Sequence, residues 1–217
     1  MGILSGLLDL LYPPRCVFCG KLLGKGKKSV CDKCRDELPY TKNGGKQSGD
    51  FFSVCVAPLY YEGVVRESIL RYKFSEATGY AQTYGALVAD CIRNNLQGCY
   101  DLISWVPISK KRYKERGYDQ AMLLAHSTAL ELDEKAVSTL EKHRDVARQS
   151  GMGSAEKRRA NISGAYRAVD PELIRGKRVL IIDDIVTTGS TLSECARILL
   201  QNGAKEVMCA AIARSTD

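Results

Sequence analysis

The stretch Arg178-Val-Leu-Ile-Ile-Asp183-Asp184-Ile-Val-Thr187-Thr188-Gly189-Ser190-Thr191 gathers the residue types needed to hold a sugar phosphate. Two adjacent carboxylates end an apolar run, and a turn of hydroxyl residues around one glycine follows. Where a helix starts after such a turn, its free backbone N–H groups, its dipole and the hydroxyls form a phosphate cradle. The carboxylates do not suit phosphate. They suit the hydroxyls of a sugar, or a Mg2+ held between sugar and phosphates. An acidic edge and a phosphate cup a few residues apart describe a ribose 5-phosphate. The blander alternative is a capped strand–turn–helix with a solvated acidic pair. The run has no Gly-Lys-Ser/Thr and no Gly-x-Gly-x-x-Gly, so it is neither a Walker loop nor a dinucleotide fingerprint.

A second group offers metal chemistry. Cys16-Val-Phe-Cys19 and Cys31-Asp-Lys-Cys34 are two Cys-x-x-Cys pairs, eleven residues apart. Cys16, Cys19, Cys31 and Cys34 at that spacing can close on one tetrahedral ion. Gly20, Gly24, Lys25, Gly26, Lys27 and Lys28 lie between the pairs. Such a segment turns easily but builds no core, so a metal would supply its folding energy. Four sulfurs leave no open position, which predicts a structural Zn2+ and not a catalytic one. Two disulfides or free redox thiols are the alternatives. The remaining five of the nine cysteines, Cys55, Cys91, Cys99, Cys195 and Cys209, have apolar neighbours and are expected to be buried small hydrophobes.

Elements must position these groups. Residues 1–12 read as a short amphipathic helix closed by Pro13-Pro14, and residues 41–50 read as a linker by composition. Beyond it the pattern alternates. Strands are predicted at Val54–Tyr61, Leu102–Val106, Val179–Ile182 and Glu206–Ile212. Helices are predicted at Val64–Phe74, Ala77–Asn94, Asp119–Leu132 and Thr191–Gln201, the last with a Thr191/Glu194 capping box. Apolar strands alternating with helices predict an α/β fold, a parallel sheet with helices on both faces. A small four-cysteine domain precedes it, giving boundaries at 1–40, 41–50 and 51–217. The 217 residues, 45% hydrophobic and 26% charged, have the balance of a soluble globular chain. The apolar run Ile3–Leu11 is broken by Ser5, Gly6 and Asp9. It falls far short of the roughly 20 residues a bilayer needs, and it lacks signal-peptide features. No transmembrane segment and a cytoplasmic location are the expectations.

The net charge of +7 is uneven. Residues 106–178 hold 16 basic against 10 acidic side chains, whereas residues 179–217, which carry the cradle, hold 3 against 5. The excess therefore lies outside the cradle and implies an anionic partner, phosphates or nucleic acid. Lys110, Lys111, Arg112, Lys114 and Arg116 fall within seven residues, with Tyr113 and Tyr118 as the aromatic neighbours single-strand binding wants. A second cluster comprises Lys142, Arg144, Arg148, Lys157, Arg158 and Arg159, around the compositionally flexible Ser150-Gly-Met-Gly-Ser154. Each cluster is read as a phosphate contact, a nucleic-acid patch or a solvated face. Lys73 reads either as a phosphate contact or as an exposed salt-bridge partner. His126 reads as structural, and His143 as a weak phosphate candidate.

Val179–Thr191 resembles the binding motif for phosphoribosyl pyrophosphate (PRPP) in type I phosphoribosyltransferases. The whole chain resembles the ComF family of competence proteins, a cysteine knuckle followed by a phosphoribosyltransferase domain. The resemblance rests also on Leu11-Tyr-Pro-Pro-x-Cys-x-x-Cys19, Tyr61-x-Gly-x-Val-Arg66 with Lys73, Val106-Pro107 through Arg116-Gly-Tyr-Asp-Gln-Ala121, and Arg148-Gln149 through Arg158-Arg-Ala-Asn161. It implies that Asp183 and Asp184 bind the ribose hydroxyls of PRPP and that Thr187, Thr188, Gly189, Ser190 and Thr191 cup its 5-phosphate. It implies that the loop of Pro107 and Ile108, with Arg112 and Arg116, meets pyrophosphate, and that residues 142–159 form a closing lid. Lys73 joins the PRPP set. Arg148 joins Asp183 and Asp184 as a candidate catalytic residue, and Mg2+ would accompany PRPP.

Three functions fit these residues. One is an enzyme that transfers ribose 5-phosphate from PRPP to a nucleophile the sequence does not identify, releasing pyrophosphate. Another is a non-catalytic module for single-stranded DNA, working beside a helicase-like ATPase of the DNA-uptake machinery and recruited by it to the inner face of the membrane. Lys110, Lys111, Arg112 and Lys114 are its candidate nucleic-acid contacts. The third is a PRPP-sensing regulator on the same fold.

Overall fold

The computed structural model describes residues 13–24, 29–74, 79–144 and 164–216. Its centre is a pair of long parallel strands, β6 (Arg178–Val186) and β7 (Glu206–Arg214). They pair in register from Arg178↔Glu206 to Val186↔Arg214. The run expected to stop at Ile182 continues through both aspartates, because β7 extends equally far and offers ladder partners up to Arg214. β3 (Leu102–Trp105) pairs with the first half of β6, Leu102↔Val179 to Trp105↔Ile182. β1 (Cys55–Val56) and β2 (Leu59–Tyr60) pair with β7 on its other side. One strand was expected there. Ala57-Pro58 divides it, since proline has no N–H to give the ladder. All five strands are parallel, in the order β1/β2, β7, β6, β3.

Two strands buried on both faces must alternate their side chains between two cores. Leu180, Ile182, Met208, Ala210 and Ile212 join one core, with α2 (Gly63–Phe74), α3 (Tyr80–Leu96) and α5 (Gln120–Glu131). Val179, Ile181, Val207, Cys209 and Ala211 join the other, against α7 (Ser190–Gln201). The structure is thus the expected α/β arrangement with helices on both faces. The predicted apolar faces hold: Ala81, Tyr84, Val88, Cys91 and Ile92 of α3 are buried, as are Leu192, Cys195, Ala196 and Leu199 of α7.

Shorter elements complete the frame. They are α1 (Asp32–Glu37), α4 (Lys110–Arg116), the antiparallel pair β4 (Leu140–Lys142) and β5 (Tyr166–Ala168), and α6 (Pro171–Ile174). The chain before β4 covers the outer edge of β3, where Val137 N–H donates to Ile103 and the Ser104 and Thr139 hydroxyls meet at 2.7 Å. Residues 41–50 lie against the opposite edge. Thr41 Oγ1 donates to the Ala57 carbonyl at 2.6 Å, and Gln47 and Cys55 exchange backbone bonds. The helix expected over residues 1–12 lies outside the described residues.

Three local expectations need correction. Cys99 is exposed, because it sits in the turn that links α3 to β3 rather than in the core. Tyr118 is buried and its hydroxyl donates to the Tyr72 carbonyl, so only Tyr113 of the two tyrosines is open to a base. The Thr191/Glu194 capping box does not form. Gly189 is the N-cap of α7, and Glu194 turns to Gly164 N–H at 2.8 Å and Arg197 at 2.7 Å.

Helices α3 and α5 meet where Gly85 has no side chain. A Cβ there would stand 2.7 Å from Ser127 Cβ and 2.8 Å from the Ser127 carbonyl carbon. Gly85→Ala should therefore force the helices apart and cost roughly 1–3 kcal/mol. An unchanged urea midpoint would contradict this close approach.

Candidate functional site

The site begins where β6 outruns β3. Val106 N–H makes the last rung, to Ile182, and Pro107 follows with no N–H to give. Beyond that point the chain after β3 peels away and Asp183 and Asp184 face a cleft of about 350 Å3. Clefts at the carboxyl ends of parallel strands are the usual ligand sites of open α/β sheets. Asp183 Oδ1 accepts the Asp184 N–H at 2.8 Å. Asp184 Oδ2 pairs with Lys73 Nζ at 2.7 Å, with only 14% of either side chain exposed. Lys73 stands at the end of α2, which makes it a fixture of the cleft and not an exposed salt-bridge partner.

Among the described residues Asp183 forms no such ion pair. Burial, and then the negative charge of Asp184, push its carboxyl up to about 8 against the pull of Lys73. Asp119 lies nearby and is also raised, first by burial, while the N–H groups of Ile108, Met122 and Ala121 hold it down. Its two oxygens accept from Ile108 N at 3.0 Å and Met122 N at 3.1 Å. One buried carboxylate thus caps α5 and anchors the Pro107–Ile108 loop. The sequence showed Asp119 only as a helix start.

The turn after β6 forms the second wall. Thr187 and Thr191 line the cleft. Thr188 and Ser190 bond each other through their hydroxyls at 2.8 Å, and Gly189 makes the bend at φ 71°. These three belong to the turn but not to the cleft lining. α7 starts at once, so its first N–H groups and positive dipole end face the threonines.

Cations form the third wall. Helix α4, which periodicity did not reveal, divides the basic run. Arg112 and Arg116, four residues apart, line the cleft. Lys110, Lys111 and Lys114 instead line a separate surface hollow of about 450 Å3 with Glu115. Arg116 donates to Gln120 Oε1 at 2.8 Å and lies over the Phe74 ring at 5.0 Å. Lys142 of β4 also reaches the cleft, with Nζ 3.1 Å from the Tyr166 hydroxyl. The cleft thus unites Lys73, Pro107, Ile108, Arg112, Arg116, Asp183, Asp184, Thr187 and Thr191 of the predicted set. Gln120, Tyr166 and Ile185 line it too. Tyr166 carried no signal, since only the β4–β5 pairing brings it there. Arg148 lies outside the described residues. His143 is exposed, and His126 packs against Trp105 with the rings tilted and their centroids 5.3 Å apart.

The second centre is the cysteine knuckle. The four sulfurs of Cys16, Cys19, Cys31 and Cys34 all lie within 4.8 Å of one another, and Cys19 and Cys31 are 3.7 Å apart. A tetrahedral zinc with Zn–S near 2.3 Å requires sulfur separations of about 3.8 Å, so the residues fit that ion. All nine cysteines are free, which excludes the disulfide alternative. Burial opposes ionisation of Cys16, but the backbone N–H groups of Cys19, Cys31 and Phe18 outweigh it and lower the thiol to about 7. Such donors ready a sulfur for metal. The centre is a structural zinc site.

The raised carboxyl of Asp183 has a consequence for stability. The native protein holds a proton that the unfolded chain releases above its ordinary value of 3.8. Stability of the ligand-free protein should therefore fall as pH rises from near 4 to about 8, by on the order of 1 kcal/mol or more. Asp183→Asn should flatten that slope in urea titrations across the window. Equal slopes in both proteins would contradict the assignment.

Comparison with known proteins agrees with both centres. Residues 119–216 match the phosphoribosyl transferase domain family, and residues 7–57 match the double zinc ribbon domain. Competence protein F of Haemophilus influenzae is 29% identical over 226 residues, covering 93% of this chain and 97% of that protein. DNA utilization protein YhgH of Escherichia coli K12 is 36% identical over 119 residues, 53% of this chain and 50% of that one. Competence protein ComFC of Bacillus subtilis is 28% identical over 149 residues, 66% of this chain and 56% of that one. Among the described residues no helix is long and apolar enough to cross a membrane. A zinc ribbon joined to a phosphoribosyltransferase-type sheet, matched almost end to end by a competence protein, makes the chain similar to the ComF family along nearly its full length.

Proposed function

We propose that the cleft binds PRPP with Mg2+ and that the protein transfers its ribose 5-phosphate group to a nucleophile, releasing pyrophosphate. The observation that carries this reading is the convergence of three chemically different walls on one cleft. The carboxylates of Asp183 and Asp184 take the ribose hydroxyls. The Thr187–Thr191 turn and the start of α7 take the 5-phosphate. Lys73, Arg112 and Arg116 offset the charge that builds on the leaving pyrophosphate. Mg2+, when bound, would neutralise part of that charge. The chain's own contribution is to position the sugar and to present fixed cations. Arg148, from the segment between β4 and β5, is proposed to complete the cationic wall.

A specific observation favours a second partner. The outward face of α4 offers Lys110, Lys111 and Lys114 around one hollow, with Tyr113 exposed beside them. Cations interleaved with an open aromatic suit single-stranded DNA. Relatives named for competence and DNA utilization support that partner. The proposed setting is the cytoplasm, beside a helicase-like ATPase that brings the protein to the inner face of the membrane. Residues 1–40 and 51–217 are proposed as the two functional units.

Two measurements test these readings. Calorimetry with PRPP and Mg2+ should show binding by the native protein and at least a ten-fold loss in Asp183→Asn/Asp184→Asn. Equal binding by both, or by neither, overturns the ribose site. For the second partner, Lys110→Ala/Lys111→Ala/Lys114→Ala should reduce the slope of log affinity against log salt for single-stranded DNA by about 2. An unchanged slope removes those lysines from the interface.

A further inference from the structure

Helix α2 is fastened to both centres. On the ribbon side, Ser68 Oγ donates to the Val17 carbonyl at 2.6 Å, and Arg71 Nη2 donates to the carbonyls of Val17, at 3.3 Å, and Phe18. Val17 and Phe18 are the two residues enclosed by the first ligand pair, Cys16 and Cys19. Phe18 is fully buried, edge-on to Tyr84 at 6.0 Å, and Tyr84 bonds Ser68. On the cleft side, Lys73 holds Asp184 at 2.7 Å. Tyr72, fully buried between the two, donates to the Gln120 carbonyl at 2.7 Å and accepts from Tyr118. Arg71 and Lys73 are two residues apart in the last turn of α2, so a shift of that turn's backbone carries both.

Arg71 also carries a feature its bonds leave unexplained. Its Nε is buried with no hydrogen-bond partner among the described residues. A buried donor left idle is costly unless charge nearby repays it. Four thiolates around one Zn2+ carry a net charge of −2, and groups just outside such a centre tune its metal affinity.

We infer that Arg71 is a positioning residue that couples metal occupancy of the ribbon to ligand affinity in the cleft. With metal bound, the Cys16–Cys19 loop is closed and its carbonyls are fixed. They hold Ser68 and Arg71, and through them the end of α2 that keeps Lys73 on Asp184. When the metal leaves, α2 loses those fastenings, and the cation that offsets the acidic pair is no longer held in place. Coupling of binding equilibria is reciprocal, so ligand in the cleft must also strengthen retention of zinc. The inference rests on the reading of the cleft as a PRPP site.

The test is zinc retention by the intact protein against a zinc-selective chromogenic chelator, with and without saturating PRPP and Mg2+. PRPP should strengthen retention about five-fold or more. Asp183→Asn/Asp184→Asn should show no such gain, which separates coupling from direct chelation by PRPP. Arg71→Met keeps the apolar stem but has no donor, and should cut the gain to less than about two-fold. Ribbon docking alone would give Arg71 no ligand-dependent effect on zinc. Because the native protein is compared with itself, the result stands even if Arg71→Met fails to fold. If calorimetry shows PRPP binding but retention is unchanged by it, the coupling alone is overturned. If PRPP does not bind, the cleft reading falls and the coupling falls with it.

Discussion

Two adjacent carboxylates at the end of a buried strand cannot both carry full charge without help. Asp183 and Asp184 stand where β6 passes beyond its neighbour β3, among groups too dense to hydrate them fully. One carboxylate is compensated by Lys73 at 2.7 Å, and the other is pushed towards its protonated form. Much of the surrounding structure serves this imbalance. It fixes the last turn of α2 through Lys73 and leaves a partly compensated acidic pair in a cleft that Arg112 and Arg116 also line. Buried charge that is only partly paired is expected at a functional site and has little place in a purely structural core.

Helix α4 divides one run of cations between two surfaces. A helix of seven residues places positions four apart on one side. Arg112 and Arg116 therefore share the cleft, while Lys110, Lys111 and Lys114 face another hollow. The two anionic partners proposed above would not compete for the same side chains. The arginines sit where fixed, forked donors matter, and the lysines sit where a mobile point charge is enough. Glu115 on the outward side keeps that face from being uniformly basic.

Much of this arrangement was legible in the residues. The two strand–helix units around Asp183 and Gly203 have long apolar runs, and their cores follow directly. The paired Cys-x-x-Cys spacing placed four sulfurs that the fold does bring together. What escaped were features set by tertiary contact. β6 is nine residues long and not four, because β7 carries it past the aspartates. Gln120 and Tyr166 enter the cleft neighbourhood through a helix packing and a β4–β5 pairing, which leave no local pattern, and Asp119, legible as a helix start, gave no sign of its bond to the Ile108 N–H. Glu194 sat at capping-box spacing but turned to Arg197 and Gly164, since glycine already made the bend. Tyr118 looked like a base-stacking partner and is a core residue, because its hydroxyl reaches the Tyr72 carbonyl.

The ribbon and the sheet are linked through α2, whose residues touch the metal loop on one side and the acidic pair on the other. The fold thereby makes one structural unit of a metal centre and an acidic cleft that look independent in the sequence. The central claim is that a single cleft holds a ribose 5-phosphate, with acidic and phosphate-binding walls acting on one molecule. A crystal structure of the protein with PRPP and Mg2+ tests it most directly. The account predicts ribose hydroxyls on Asp183 and Asp184, and the 5-phosphate within the Thr187–Thr191 turn. Density for the phosphates on Lys110, Lys111 and Lys114, with the acidic pair untouched, would contradict it.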